Sequence, residues 1–165
     1  MANGGGNLSL LFTPVIDGVV LSDGYDALID AGKTLPIPTL LGSTENDLTC
    51  TPESIAAGEL SPLYQSCIDW ALMEERQGRA PAYVYYFKRR LPGDDWGAFH
   101  SSELWYTFGS YGKCWRPLTE ADADLSSRMS HAFAGFITMG DPNWGGEASW
   151  RPCTKDDPFV MVYDV

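Results

Sequence analysis

Apolar residues recur at helical spacing in two long stretches of the chain. Leu63, Cys67 and Ala71 stand four apart with Ile68 and Leu72 beside them, between a Ser61-Pro62 start and a Gly78 stop. Leu125, Met129, Phe133, Phe136 and Ile137 follow at threes and fours behind Thr119-x-x-Asp122, a capping box with Asp in the Glu position, and Gly140 and Pro142 close the run. The spacing predicts helices over 61–78 and 119–140. A shorter helix is predicted from Ser22-Asp23 through Asp30-Ala31, with Gly32 ending it in the left-handed conformation.

Elsewhere the pattern changes to short dense runs. Ala82-Tyr83-Val84-Tyr85-Tyr86-Phe87 is aromatic and β-branched, which predicts a strand, and Pro92-Gly93-Asp94-Asp95 ends it. Thr39-Leu40-Leu41-Gly42, between the Pro36/Pro38 punctuation and the polar Ser43 to Asp47, reads as a buried strand, although its length leaves a helix open. Phe159 to Tyr163 is either a last short strand or an apolar tail. Pro14 and the Asp17-Gly18 pair favour a turn or a short extended piece, residues 144–152 look irregular, and the Gly-rich residues 1–7 read as a flexible tail ahead of a single domain over 8–165. Helix, strand, helix, strand, helix implies an α/β fold with about two parallel strands, too few for a stable open sheet.

Composition narrows the partners. A net charge of −11 repels phosphate backbones and anionic lipid, so nucleic acid is not an expected partner. No apolar run approaches the length of a membrane span, and the N-terminus lacks the basic start and apolar stretch of a signal peptide, which leaves a cytoplasmic location as the default. Cys50, Cys67, Cys114 and Cys153 have no C-x-x-C spacing and are expected to be reduced, neither a zinc site nor a disulfide framework.

The chemistry centres on His100, in the loop after the Ala82–Phe87 run. If the two strands are parallel, Asp47 and the His100 loop leave the sheet at the same carboxyl edge. A carboxylate can then hold one imidazole N–H and leave the other nitrogen free to take a proton from a nucleophile. Spacing alone does not separate that arrangement from a solvated loop histidine beside a turn-forming aspartate. His131, inside a predicted helix, reads as a surface or packing residue, and Tyr83, Tyr85 and Tyr86 as sheet core. Trp105, Tyr106 and Phe108 are expected to pack under the His100 loop.

Four ordered blocks carry a resemblance. Phe12-Thr-Pro-Val-Ile-Asp-Gly18, Ile37-Pro-Thr-Leu-Leu-Gly-Ser-Thr-Glu-Asn-Asp47, Gly97-Ala-Phe-His-Ser-Ser-Glu-Leu-Trp-Tyr-Thr-Phe-Gly109 and Leu125-Ser-Ser-Arg-Met to Gly140-Asp-Pro-Asn143 resemble the C-terminal third of a type-B carboxylesterase, the superfamily of cholinesterases and neuroligins. The resemblance implies the C-terminal part of an α/β-hydrolase fold and ester hydrolysis by a Ser-His-acid triad, without cofactor or metal. By matched position it makes His100 the catalytic base and Asp47 the acid, one methylene shorter than the Glu more common there, with Glu45 and Glu53 as fallback acids. Glu103 becomes a buried partner behind the pair.

What the resemblance also implies is absent. The chain has no G-x-S-x-G elbow, since Phe108-Gly109-Ser110-Tyr111-Gly112 lacks the first glycine, and no His-Gly-Gly-Gly stretch for an oxyanion hole. Losing that hole alone forfeits roughly 2–4 kcal/mol of transition-state stabilisation. The isolated chain is therefore expected to be inactive. It is expected to meet a small ester only when an N-terminal segment completes it, and to associate through an exposed sheet edge. A catalytically inactive fragment or interaction module of the same superfamily is the alternative.

Overall fold

The computed structural model describes residues 14–48, 50–144 and 149–165, so the expected tail over 1–7 and the middle of the irregular stretch over 144–152 lie outside the described residues. The chain divides into two compact units, one through Leu35 and one from Pro36 onward. In the first unit Asp17 forms a turn, one of the two alternatives, its Oδ1 accepting the N–H groups of Val19, Val20 and Leu21. Helix α1, Tyr25–Asp30, buries no residue, and Gly32 follows it with φ +65°.

The second unit is built on three parallel strands. Strand β1 is Thr39–Thr44, and helices α2, Pro52–Ala57, and α3, Pro62–Arg76, lead to strand β2, Ala82–Phe87. Helix α4, Leu104–Thr107, a single 3₁₀ turn at Tyr111–Lys113 and helix α5, Glu120–Met139, precede strand β3, Val160–Tyr163. The sheet order is β1-β2-β3, with both pairings parallel. The Phe159–Tyr163 run is thus a third strand rather than a tail, and it turns a two-strand expectation into a three-strand sheet.

Strand β2 is buried at all six positions, which the two-residue period of a strand explains by giving each face its own core. On one face Tyr83, Tyr85 and Phe87 pack with Leu125 and Met129 of α5, Tyr106, Trp150 and Tyr163. On the other, Ala82 and Val84 meet Cys67 and Ala71 of α3 and Cys153. Each large side chain so buried contributes about 1.5–3 kcal/mol. All four cysteines are free thiols.

Gly42 sets how closely β1 can approach. It lies opposite Tyr85, and a Cβ there would come within 2.4 Å of the Tyr85 ring and carbonyl oxygen. The parallel register pairs Thr44 with Phe87, so the chain leaves both strands at one edge of the sheet. The Glu45 N–H still donates to the Phe87 carbonyl at 2.9 Å, and Asn46 then bridges to Phe99.

Two local expectations differ in detail. Helix α2 escapes the pattern because it is six residues long with no buried side chain; its capping box, Thr51 with Ser54, uses Ser in place of Glu or Gln. Tyr106 is fully buried and Trp105 half-buried, but Phe108, next to the Gly109 stop, is 76% exposed rather than packed under the loop.

Candidate functional site

Asp47 follows β1 by three residues, and its carboxylate is held by the backbone around it. Oδ2 accepts the Thr44 N–H at 2.9 Å, and Oδ1 accepts the Leu48 N–H at 2.7 Å. The residue is buried. Oδ1 also lies 2.6 Å from Nδ1 of His100. An ionised carboxylate can only accept, so the proton of this bond belongs to Nδ1, and the neutral ring presents Nε2 as a lone pair.

The partners are unequally covered: the Asp47 side chain is 6% exposed and the His100 side chain 51%. A fixed, buried acid therefore lies behind an imidazole whose far side is open. Just beyond His100, Ser101 takes φ +67°, a left-handed conformation costly for a residue with a side chain. It turns the chain into the start of α4, where the Ser102 N–H donates to the Phe99 carbonyl at 3.0 Å.

The loop that brings His100 here is tied down on its other flank. Arg116, itself buried, donates from Nη1 to the Pro92 carbonyl at 2.8 Å and from Nη2 to Oδ2 of Asp94 at 2.6 Å. Its guanidinium carbon lies 5.3 Å from the centre of the Phe99 ring and 4.8 Å from that of Trp115.

Glu103 caps α4 close to the pair. Burial pushes its carboxyl above the usual range and the Asp47 charge adds to that, while its own backbone N–H, His100 and the Tyr85 hydroxyl act the other way. Its Oε2 is buried without a hydrogen-bond partner among the described residues, as are Ser43 Oγ, Thr44 Oγ1 and Ser102 Oγ. Burial also pushes the Tyr85 phenol far up, with Glu103 adding to the effect.

An open cavity of about 970 Å³ runs past His100 and Asp47, with Trp96, Phe99, Cys50 and Ile55 among its walls. Trp105, Tyr106 and Phe108 do not line it; the aromatic residues that do are Trp96 and Phe99 of the loop itself. Of the three acids considered from sequence, Asp47 is the one bonded to His100. Glu45 pairs with Lys88 at 3.7 Å, and Glu53 lies exposed in the first turn of α2. His131 is a surface residue whose Nδ1 donates to the Ser127 carbonyl at 2.7 Å. Sequence reasoning gave no role to Asn46, although it stands in the segment that ends at Asp47, and it missed Arg116 and Ile55, which stand in no pattern that marks a site. Among the described residues no group of three or more His, Cys, Asp or Glu is placed to hold a metal, and no helix is long and apolar enough to cross a membrane.

Comparison with known proteins adds to this geometry. A model of the carboxylesterase family matches residues 61–164. Acetylcholinesterase of Leptinotarsa decemlineata is 29% identical over 86 residues, covering 50% of this chain and 14% of that protein. Phenmedipham hydrolase of Pseudarthrobacter oxydans is 29% identical over 102 residues, covering 56% of this chain and 20% of that protein. Among solved structures, a PNB esterase superposes with a TM-score of 0.74 at 20% identity over 99% of this chain and 42% of its own. A thermophilic PNB esterase does so at 0.73 and 20%, over 94% and 40%. The chain thus spans less than half the length of the proteins it matches. These neighbours have the α/β-hydrolase fold, of which the present sheet is an incomplete part.

Proposed function

Because the chain belongs to the carboxylesterase family, we propose that it is the acid-and-histidine-bearing C-terminal segment of a serine carboxylesterase, active when a segment carrying the nucleophile completes it. The observation that carries this reading is the 2.6 Å bond between Asp47 and Nδ1 of His100 at the shared carboxyl edge of β1 and β2, facing an open cavity.

In this reading Nε2 of His100 takes the proton of a serine hydroxyl as its oxygen attacks the ester carbonyl. Asp47, already bonded at Nδ1, stabilises the imidazolium that forms. As the tetrahedral adduct collapses, Nε2 returns the proton to the departing alkoxide, which leaves as the alcohol. Water then repeats the sequence on the acyl-enzyme, releasing the acid and restoring serine. Aspartate serves here despite its shorter side chain, because the Thr44 and Leu48 N–H groups hold its carboxylate within bonding reach of the ring. Glu103 supports the pair from behind. The substrate is a small ester, and the completing segment adds its sheet to the free edge of β1, which has no strand partner among the described residues.

The test is complementation. The chain is co-expressed with an N-terminal carboxylesterase segment containing G-x-S-x-G, and hydrolysis of a nitrophenyl ester is followed. The reading expects activity from the pair, none from this chain alone, and a loss of at least about 10³-fold on His100→Ala. Equal activity with and without the His100 imidazole removes it from the mechanism. The lack of any complementation by several such segments favours the inactive-module alternative.

A further inference from the structure

We infer that Asn46 is a positioning residue for the Asp47–His100 pair, the clamp that seats the His100 loop on the acid-bearing turn; this rests on the catalytic reading above. Both backbone groups of Ala98, two residues before His100, are engaged by the residue immediately before Asp47. The Asn46 N–H donates to the Ala98 carbonyl at 2.9 Å, and Asn46 Oδ1 accepts the Ala98 N–H at 3.0 Å. Ala98 is 0% exposed with Asn46 in place, so removing the amide takes away the partner its N–H has in the structure.

Gly97 shows how closely the two are fitted. It has φ +69°, and a Cβ at that position would come within 2.1 Å of Asn46 Oδ1. The Asn46 side chain thus fills the space that any side chain at 97 would need, and the loop can approach only because 97 is glycine. The imidazole itself is too exposed for packing to hold it. Its position depends on the Asp47 carboxylate at one end and on the backbone of its loop at the other, and Asn46 joins these two through adjacent residues. An error of about 1 Å in such a group is enough to cost about 10²-fold in rate.

The clamp is read by NMR of the full chain, without catalysis, through the Nδ1–H proton of His100 and the long-range ¹H–¹⁵N pattern of its ring. The wild-type chain is expected to show the Nδ1–H tautomer with a slowly exchanging proton that Asp47→Ala abolishes. Asn46→Ala is expected to lower the paired-to-unpaired ratio about five-fold, the worth of one net hydrogen bond. Asn46→Asp keeps the acceptor and is expected to retain the signal, a rescue that a generic structural role does not predict. Chemical unfolding of each variant separates loss of pairing from loss of fold. Asn46→Ala at the wild-type paired-to-unpaired ratio overturns the clamp, and so does a folded Asn46→Asp without the signal. If Asn46→Ala does not fold, the Asp variant decides alone: retention supports the clamp, and loss of the signal or of the fold overturns it. A wild-type chain without the paired proton, or an unchanged signal in Asp47→Ala, defeats the catalytic reading itself. Loss in Asp47→Ala together with persistence in Asn46→Ala defeats the clamp only.

Discussion

Arg89 and Asp122 form a two-bonded ion pair between the segment after β2 and the first turn of α5, with Nε to Oδ1 at 2.8 Å and Nη2 to Oδ2 at 3.1 Å. The same carboxylate accepts the Thr119 N–H at 2.8 Å, closing the capping box of α5, and the hydroxyl of buried Tyr106 at 2.7 Å. Burial works against the Asp122 charge, but the bonds from Arg89, Thr119 and Tyr106 outweigh it and hold the group at about 2 against an ordinary 3.8. One side chain thus joins the segment after β2, the helix after the His100 loop and α5.

The pH dependence follows from that lowered value. The folded chain binds the Asp122 proton less readily than the unfolded one, so the pairing stabilises the fold by about 2 kcal/mol at any pH above about 4. That contribution falls away as the pH drops from about 4 to about 2. Asp122→Asn leaves the Arg89 guanidinium without its charge partner and is expected to cost about 3 kcal/mol at neutral pH. Urea unfolding of both proteins from pH 7 down to pH 2 measures this; curves that run parallel down to the lowest pH exclude the assignment.

Gly42→Ala is expected to be among the most damaging of single-methyl additions. Its Cβ would lie 2.4 Å from the ring and the carbonyl oxygen of Tyr85, and neither a packed ring nor strand backbone moves cheaply. We expect a loss of about 2–3 kcal/mol, read as a lower urea midpoint, with β1 amides exchanging faster than those of α5. Uniform exchange across both elements argues against a local separation of β1 from β2.

Arg116→Lys is not a conservative change here. The guanidinium binds Pro92 and Asp94 at the same time and lies over two aromatic rings, a geometry a single ammonium does not reproduce. Arg116→Ala and Arg116→Lys are both expected to lower stability by about 1–2 kcal/mol and to speed amide exchange at Leu91 and Ala98. Full retention of protection in the Lys variant removes the forked contact from the account.

Ser101→Gly is expected to raise stability. The residue holds φ +67°, where an L side chain costs about 1–2 kcal/mol, and the greater freedom of glycine in the unfolded chain returns part of that. A net gain of about 0.5–1 kcal/mol is expected, seen as a higher Tm with the His100 pairing intact. A lower Tm means that the serine hydroxyl has a role that outweighs the backbone strain.

Signals confined to neighbouring residues determined much of this fold. Ser61 and Pro62 start α3 because a hydroxyl cap and a ready-made φ act within one turn, and Thr119 with Asp122 caps α5 for the same reason. The aromatic and β-branched density of Ala82–Phe87 marks a strand because such side chains suit a pleated sheet, here buried on both faces. The ordered family blocks singled out His100 and Asp47. The tertiary structure decided what depends on residues distant in sequence. Parallel pairing put Asp47 and His100, 53 positions apart, in contact, while Glu45 went to Lys88. The same pairing made Val160–Tyr163 a third strand, since a four-residue apolar run acquires a structure only from the strand it joins. The roles of Asn46, though it stands beside Asp47, and of Arg116 have no local signature, because a side chain that binds the backbone of another loop is recognisable only once the two are brought together.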